Sequence, residues 1–155
     1  MREVQFYDLE KIEESFLSFA VICAQYQHQW ILCKNAEKST YEFPGGCREV
    51  DESIMDTANR ELYEETGAID FTLTPIGVFS VQKNELQGSS KLKYGIFFYG
   101  KVDKIGELPD YEIKEICFRD DFPIEWTYPN IQAILIDQLN LFLKKSRLKI
   151  EDEKN

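Results

Sequence analysis

The clearest pattern in this chain is the sequence GCREVDESIMDTANRELYEETGA, which runs from Gly46 to Ala68. Within it, apolar residues recur every four positions, as they do along the buried side of an α-helix: Ile54, Ala58 and Leu62. Ser53 precedes Asp56 by three residues, a pair that typically caps a helix N-terminus, and Gly67 suits the residue that ends a helix. The pattern predicts an α-helix over Ser53–Thr66.

Three glutamates on this helix point to metal binding. Glu61, Glu64 and Glu65 stand at positions i, i+3 and i+4, so their carboxylates occupy neighbouring places on one helix face. Carboxylates this close repel one another unless a cation lies among them. Oxygen ligands favour Mg²⁺ or Mn²⁺ over zinc, and either ion can polarise a phosphate and acidify a bound water. Because Gly45-Gly46 has no side chains, a backbone carbonyl there could complete the coordination.

A second interpretation of the same glutamates needs no metal. On a solvated helix face, Arg60 and Glu64 would simply form an i,i+4 ion pair. That interpretation suits an isolated group of glutamates. In this chain the group follows Pro44-Gly45-Gly46 and Glu52, and the combination favours a functional site.

The spacing of the whole segment, G-x5-E-x7-R-E-L-x-E-E-x-G-A, resembles the signature box of the Nudix hydrolases, the MutT-like pyrophosphohydrolases. The resemblance rests on the charged and glycine positions of the box: Gly46, Glu52, Arg60, Glu61, Glu64, Glu65 and Gly67. Leu62 fills the aliphatic position inside the box. The closing aliphatic position holds Ala68, which is smaller than the residue usually found there.

The resemblance implies a fold, a cofactor and a set of site residues. The implied fold class is α+β, an α/β/α sandwich in which a mixed β-sheet packs against the box helix and a C-terminal helix. The implied cofactor is Mg²⁺, for which Mn²⁺ can substitute. Its ligands would be the Gly46 carbonyl, Glu61 and Glu65, with Glu64 binding directly or through water. By the same resemblance, Glu52 and Arg60 support the loop and orient the catalytic glutamates.

The rest of the chain supplies the strands and the second helix of such a fold. Apolar or alternating runs predict β-strands at 16–26, 30–33, 41–43, 73–81, 92–102 and 112–118, and an amphipathic run predicts a helix at 131–143. Pro44-Gly45-Gly46 is expected to break the chain, and Gln87-Gly88-Ser89-Ser90 to turn a hairpin. We expect one domain over residues 1–145 and a charged C-terminal tail, 146–155, that frays.

Charge and cysteine content limit the partners and the location. The net charge of −10 disfavours a protein that coats DNA or RNA, since an acidic surface repels polyanions. The cysteines form no CxxC pair and, with the single His28, make a poor zinc set, so thiols in a cytoplasmic protein are expected: Cys23, Cys33, Cys47 and Cys117. No secretory signal or membrane span is expected from the apolar runs. Exposed sheet edges make a homodimer compatible with the implied fold.

The implied reaction is hydrolysis of a purine nucleoside triphosphate, such as 8-oxo-dGTP, to the monophosphate and pyrophosphate. ADP-ribose hydrolases and dinucleoside-polyphosphate hydrolases often carry a proline and a tyrosine near positions where this chain has Lys83, Asn84 and Glu85. Their absence weighs against those two activities. Hydrolysis of another nucleoside diphosphate derivative, including an RNA 5′ end, and a nucleotide sensor without activity are the alternatives.

Four residues outside the box are weaker candidates. Glu112 and Glu115 begin a late strand in a region where many relatives supply another acidic ligand or base, although an exposed strand face explains them equally well. Trp126 and Asn130 precede the last helix, where Trp126 could stack on a purine and Asn130 could hydrogen-bond its edge. Packing at the start of the helix is the stronger expectation for this pair.

Overall fold

The computed structural model of the chain describes residues 3–35, 37–84, 90–108, 115–123 and 125–154, which form one mixed β-sheet and two α-helices. The strands, in chain order, are β1 (Glu3–Tyr7), β2 (Leu17–Tyr26), β3 (Gln29–Lys34), β4 (Tyr41–Glu42), β5 (Gly45–Cys47), β6 (Ala68–Asn84), β7 (Ser90–Ile105) and β8 (Glu115–Arg119). The helices are α1 (Ile54–Thr66) and α2 (Pro129–Lys154). Within the described ranges, no helix is both long and apolar enough to cross a membrane.

Strand β2 lies in the middle of the sheet and pairs with several other strands. The main strand order of the sheet is β1-β6-β7-β2-β3-β4, with β5 paired to β2 and β8 paired to β3. Strand β2 runs parallel to β7, and the other pairs are antiparallel, so the sheet is mixed as predicted. The long β6–β7 pair extends to Asn84 opposite Ser90. The predicted turn between these strands falls largely on residues 85–89, outside the described residues.

Alternate residues of β2 face two separate layers of the core. One set, Ala20, Ile22 and Ala24, belongs to the cluster that contains the α1 side chains Ile54, Ala58 and Leu62. The other set packs in the cluster that contains α2. Because side chains alternate along a strand, a β2 that is apolar throughout must be covered on both faces. The predicted α/β/α sandwich and α+β class are therefore confirmed.

Helix α1 has the termini that its sequence predicts. Ser53 is the N-cap residue and accepts a hydrogen bond from the Asp56 backbone N–H at 3.0 Å, while the Asp56 carboxylate accepts one from the Ser53 N–H at 3.1 Å. Gly67 ends the helix in the left-handed conformation, with φ at 78°, and its N–H bonds the Tyr63 carbonyl. Reciprocal capping fixes where the helix begins, and so fixes the position of the glutamates along it.

Three features differ from the sequence-based predictions. The segment Glu3–Tyr7 forms an edge strand paired with β6, although no strand was predicted there. The predicted break at Pro44-Gly45-Gly46 is wrong for its glycines, because Gly45–Cys47 forms β5 against β2. Helix α2 continues to Lys154, past the predicted end at 143, because lysine, arginine, leucine and glutamate are all strong helix formers.

The cysteines lie where the apolar runs place them. Cys23 and Cys33 are buried, Cys117 is half-buried and Cys47 is exposed on β5. All four are present as thiols rather than disulfides. Burial in an apolar core raises the pKa of the Cys23 thiol well above its ordinary value, so this thiol acts as a small hydrophobic residue.

Candidate active site

Arg60 ties helix α1 to the loop that precedes it. Its guanidinium makes a two-point contact with the Glu52 carboxylate, Nε to Oε2 at 2.6 Å and Nη2 to Oε1 at 3.0 Å. Nη2 also donates to the Cys47 backbone carbonyl at 3.0 Å. Planar guanidinium and carboxylate groups that pair in this way fix each other's orientation. The Arg60 side chain thus holds the loop from β5 to α1 against the helix at two points, Glu52 and Cys47.

Glu52 is locked in its charged form within this network. Its carboxylate also accepts hydrogen bonds from the Glu49 backbone N–H at 2.9 Å and from the Thr57 hydroxyl at 3.1 Å. The hydrogen bond from Arg60, followed by that from the Glu49 N–H, lowers the pKa of Glu52 from 4.5 to about 2. The same pairing, first with Glu52 and then with Glu61, raises the pKa of Arg60. Both groups therefore stay charged throughout the physiological range.

The other terminal nitrogen of Arg60 contacts two of the predicted metal ligands. Nη1 donates to Oε1 of Glu61 at 2.9 Å and to Oε2 of Glu64 at 3.2 Å. A single cationic group thus lies against two carboxylates that would otherwise repel each other. The i,i+4 ion pair between Arg60 and Glu64, which the second interpretation of the sequence invoked, is present. It is one contact within a larger network that also reaches Glu52 and Glu61.

Among the residues whose burial the structure describes, Glu61 and Glu65 are the buried carboxylates. Their relative exposures are 7% and 5%, whereas glutamate is ordinarily a surface residue. Oε2 of Glu65 accepts hydrogen bonds from the Gly45 N–H at 3.3 Å and from the Cys33 thiol at 3.4 Å. A β-carbon at Gly46 would overlap the Glu61 carboxylate, so the backbone of β5 approaches this side chain as only glycine permits. Burial of this kind demands a compensating charge or hydrogen bonds.

The donor set fits a hard divalent cation. Glu61, Glu64 and Glu65 offer carboxylate oxygens, and Gly46 brings its backbone directly against Glu61. In the described residues, no three acidic, histidine or cysteine side chains are gathered closely enough to enclose an ion. Arg60 is hydrogen-bonded to two of the carboxylates, so it supplies positive charge at this place. The assignment of these residues as metal ligands stays a prediction.

A cavity of about 450 Å³ is lined by Gly45 and Gly46, the glycines that contact Glu65 and Glu61, although none of the three glutamates lines it. Its walls are mainly apolar and aromatic, drawn from β2, β6, α2 and the residue that follows β4: Phe19, Val21, Phe79, Val81, Ile131, Leu135 and Phe43. Gly45, Gly46 and Cys47 form the side that meets the box. The remaining lining residues are mostly polar or charged: Glu42, Lys91, Lys93, Tyr128 and Gln132. An apolar cavity with few polar groups is typical of a site for a small organic ligand.

Of the four candidates from outside the box, the three that the structure describes do not line this cavity. Glu112 lies outside the described residues. Glu115 is exposed at the start of β8, in register with Lys34 of β3. Trp126 packs against Phe43 and Phe122, with ring centroids 5.3 Å and 5.9 Å away. This packing is the expected alternative for Trp126, and it places the ring in the core rather than the cavity.

Asn130 does not line the cavity either, and the polar groups that do line it are other residues. It is exposed and borders a smaller hollow formed by residues 127–131. Sequence reasoning missed the polar groups of the cavity itself, chiefly Lys91, Lys93 and Gln132. One signal could have found the last of these, since Gln132 is a polar residue between the apolar positions Ile131 and Leu135.

Comparison with known proteins agrees with the geometry. The NUDIX domain family matches residues 15–134. A Bacillus subtilis (strain 168) protein named "Putative 8-oxo-dGTP diphosphatase YtkD" is 30% identical over 105 residues, which cover 68% of this chain and 62% of that protein. The matched part therefore spans less than two thirds of the length of that relative.

Solved structures show the same fold. The pyrophosphohydrolase BsRppH of Bacillus subtilis, as an E68A mutant, superposes with a TM-score of 0.72 at 20% identity, covering 88% of this chain and 89% of that one. A UDP-X diphosphatase gives 0.65 at 22% identity, covering 84% and 64%. A sandwich fold, a capped box helix and an arginine-linked group of glutamates define a Nudix domain. The chain belongs to the Nudix family.

Proposed function

We propose that this chain is a pyrophosphohydrolase that depends on a divalent metal ion, Mg²⁺ with Mn²⁺ as a substitute. Its substrate would be a purine nucleoside triphosphate, with 8-oxo-dGTP as the leading candidate, and its products the monophosphate and pyrophosphate. The observation that carries the proposal is the pair of buried glutamates, Glu61 and Glu65, held against the glycine backbone of β5 beside an apolar cavity. A water-excluding site for charge next to a site for a base suits a nucleotide.

The side chains divide the chemical work. Glu61, Glu64 and Glu65, with the Gly46 carbonyl, would hold the metal, which when bound supplies electrophilic activation of phosphate and an acidified water. Arg60 keeps Glu61 and Glu64 oriented through its hydrogen bonds, and Glu52 keeps Arg60 in place. The charged groups would therefore already be ordered before the substrate binds.

The cavity supports a purine rather than a smaller group. About 450 Å³ lies within the range of pockets that enclose small ligands, and the aromatic side chains Phe19, Phe43 and Phe79 offer apolar contact to a base. Lys91 and Lys93 add positive charge at the wall in a protein whose net charge is −10. Such charge attracts the phosphates of a nucleotide. The YtkD relative adds support for 8-oxo-dGTP. Four thiols suit the reducing cytoplasm, where we place this activity.

A substrate panel tests the proposal. Purified protein is incubated with dGTP, 8-oxo-dGTP, ATP, ADP-ribose, a dinucleoside tetraphosphate and triphosphorylated RNA, with Mg²⁺, Mn²⁺ or a chelator. We expect pyrophosphate release from a purine triphosphate that needs the metal. Preferred turnover of ADP-ribose, the dinucleoside polyphosphate or RNA would replace the proposed substrate. Nucleotide binding without turnover on any of them would favour the sensor.

Two variants connect the activity to the site. Glu61→Gln and Glu65→Gln keep the side-chain shape but remove a charge, so we expect turnover to fall by about 10²-fold or more, the scale of losing one major electrostatic contact. Glu37→Gln makes the same change on an exposed loop and is the matched control. Near wild-type metal-dependent turnover in the two helix variants would disprove the assignment of these glutamates to the metal.

A further inference from the structure

Gln132 is a buried amide whose oxygen has nothing to bind within the described part of the chain. It lies in the first turn of α2, where its backbone N–H bonds the Tyr128 carbonyl at 3.0 Å. The residue is 4% exposed, yet its side-chain Oε1 is buried without a hydrogen-bond partner among the described residues. An acceptor left unsatisfied in this way costs roughly 1–3 kcal/mol. A buried group with that cost calls for a physical reason.

The surroundings of Gln132 give no structural reason for an amide. Its neighbours on α2 that line the cavity are Ile131 and Leu135, and Phe79 and Val81 of β6 line the same cavity. Packing alone would favour leucine or methionine at this position. The amide lines the 450 Å³ cavity, so a molecule in the cavity can supply the missing hydrogen-bond donor.

The cavity offers a second acceptor. Glu42 of β4 also lines it, and its carboxylate, which accepts a hydrogen bond from Asn35 at 3.3 Å, can only accept when ionised. A ligand suited to both groups carries N–H donors on a flat, apolar body. Nucleobases with amino or imide N–H groups on their Watson–Crick edge have this character, and proteins read extruded bases through that edge.

We propose that Gln132 is a specificity-determining residue, whose amide oxygen accepts a hydrogen bond from an N–H group of a purine base. The inference rests on the proposed nucleotide function and identifies which side chain selects the base. The Gln132 amide oxygen is buried and has no hydrogen-bond partner among the described residues, so a base without an N–H group leaves it unsatisfied. Discrimination of this kind is stronger than that provided by apolar contact alone.

The test compares ligands that differ in this donor. Gln132→Met removes the amide at nearly constant shape, and Gln138→Met, the same change further along α2 and outside the cavity lining, is the control. Calorimetry measures binding of whichever of GMP and AMP the wild-type protein prefers, and of purine riboside 5′-monophosphate, whose base has no N–H. We expect the wild type to prefer the donor-bearing nucleotide by about tenfold or more. Gln132→Met should lose that preference while its affinity for the purine riboside nucleotide changes less than about twofold.

Two further measurements separate base reading from a structural role. The melting temperature of free Gln132→Met should equal or exceed that of the wild type, because the variant removes an unsatisfied buried acceptor. With the preferred triphosphate, KM should rise about tenfold and kcat should stay nearly constant, since the contact is to the base alone. Asparagine keeps the amide on a shorter side chain that does not reach the same point, so Gln132→Asn should also lose the preference for the donor-bearing nucleotide.

Different results would overturn the role of Gln132 and the proposed nucleotide function. Equal loss of affinity for both nucleotides, or unchanged preference in Gln132→Met and Gln132→Asn, would overturn the role of Gln132 while hydrolysis still upheld the proposed function. A wild-type protein that neither binds nor hydrolyses purine nucleotides would overturn the proposed function itself.

Discussion

Replacement of Gly46 with alanine should impair the candidate site while leaving the fold intact. A β-carbon at this position would lie 2.8 Å from Oε2 of Glu61 and closer still to Oε1, whereas ordinary contact begins at 3.4 Å. Glu61 is buried and bonded to Arg60, so its carboxylate has little room and must retreat by something on the order of 1 Å. A misplacement of that size in a catalytic group can cost about 10²-fold in rate. We therefore expect kcat of Gly46→Ala to fall by about 10²-fold.

The stability of the same variant should change little. Gly46 does not have left-handed backbone geometry, and the atoms in the way belong to a side chain rather than to backbone. Gly45→Ala is the contrasting variant, because its β-carbon would lie 3.0 Å from the Val21 Cα and closer still to the Ala20 carbonyl oxygen. That clash opposes the β2–β5 pairing, so Gly45→Ala should lose folding stability as well as activity.

Steady-state kinetics with Mg²⁺ and thermal unfolding, measured on both variants, give the comparison. A kcat of Gly46→Ala above about a third of the wild-type value would refute the expected effect, because Glu61 would then tolerate the displacement. Unfolding of Gly46→Ala as readily as Gly45→Ala would refute it equally, since the glycine would then serve the fold and not the carboxylate.

Other consequences follow from the caps and the charges. Because the pKa of Glu52 is lowered from 4.5 to about 2, its stabilising contribution is present above pH 4.5 and lost as pH falls towards 2. In acid unfolding followed by circular dichroism, Glu52→Gln should lose less folding stability than the wild type between pH 4.5 and 2. Ser53→Ala removes the N-cap of α1 and should cost about 1 kcal/mol in urea unfolding. Gly67→Ala places a side chain at φ of 78° and should cost about 1–2 kcal/mol in the same assay; an unchanged midpoint would contradict the C-cap assignment. The activity should peak at roughly pH 8–9.5, because Mg²⁺ acidifies water less than zinc does, and a maximum below pH 6 in the rate profile would contradict this chemistry.

The parts of the fold that depend on local chemistry could be predicted from the sequence. Ser53, Asp56 and Gly67 fix both ends of α1 through contacts within a few residues, so a single segment contains the whole signal. Strand β5 could not be predicted in this way. Gly45-Gly46 has the composition of a turn, and it forms a strand only because the backbone of β2, more than 20 residues away in sequence, is there to pair with it.

The candidate site also has one part that the local sequence predicts and one part that depends on long-range contacts. Glu52, Arg60 and Glu61 are close in sequence, and the structure joins them by hydrogen bonds. The cavity includes residues of β2, β6, β7 and α2, which are far apart in sequence, so the place of Lys93 in its wall depends on long-range contacts. Gln132 had only a weak local signal, a polar residue between Ile131 and Leu135. Its aromatic ring and its place before the last helix suggested Trp126 as a base contact, but that ring packs against Phe43 and Phe122.

The two halves of the site lie on opposite faces of the sheet, and β5 is where they meet. Glu61 and Glu65 project from α1, which covers one face, while the cavity opens on the face covered by α2. Side chains of the strands normally separate such faces by a packed layer. At Gly45-Gly46 that layer is absent: the same two residues contact the glutamates and line the cavity. Under the proposed function, a ligand that occupies both halves would lie against these two glycines, whose small size also makes room for Glu61. A side chain at Gly46 should therefore weaken substrate binding in addition to displacing the glutamate, and KM should rise together with the fall in kcat.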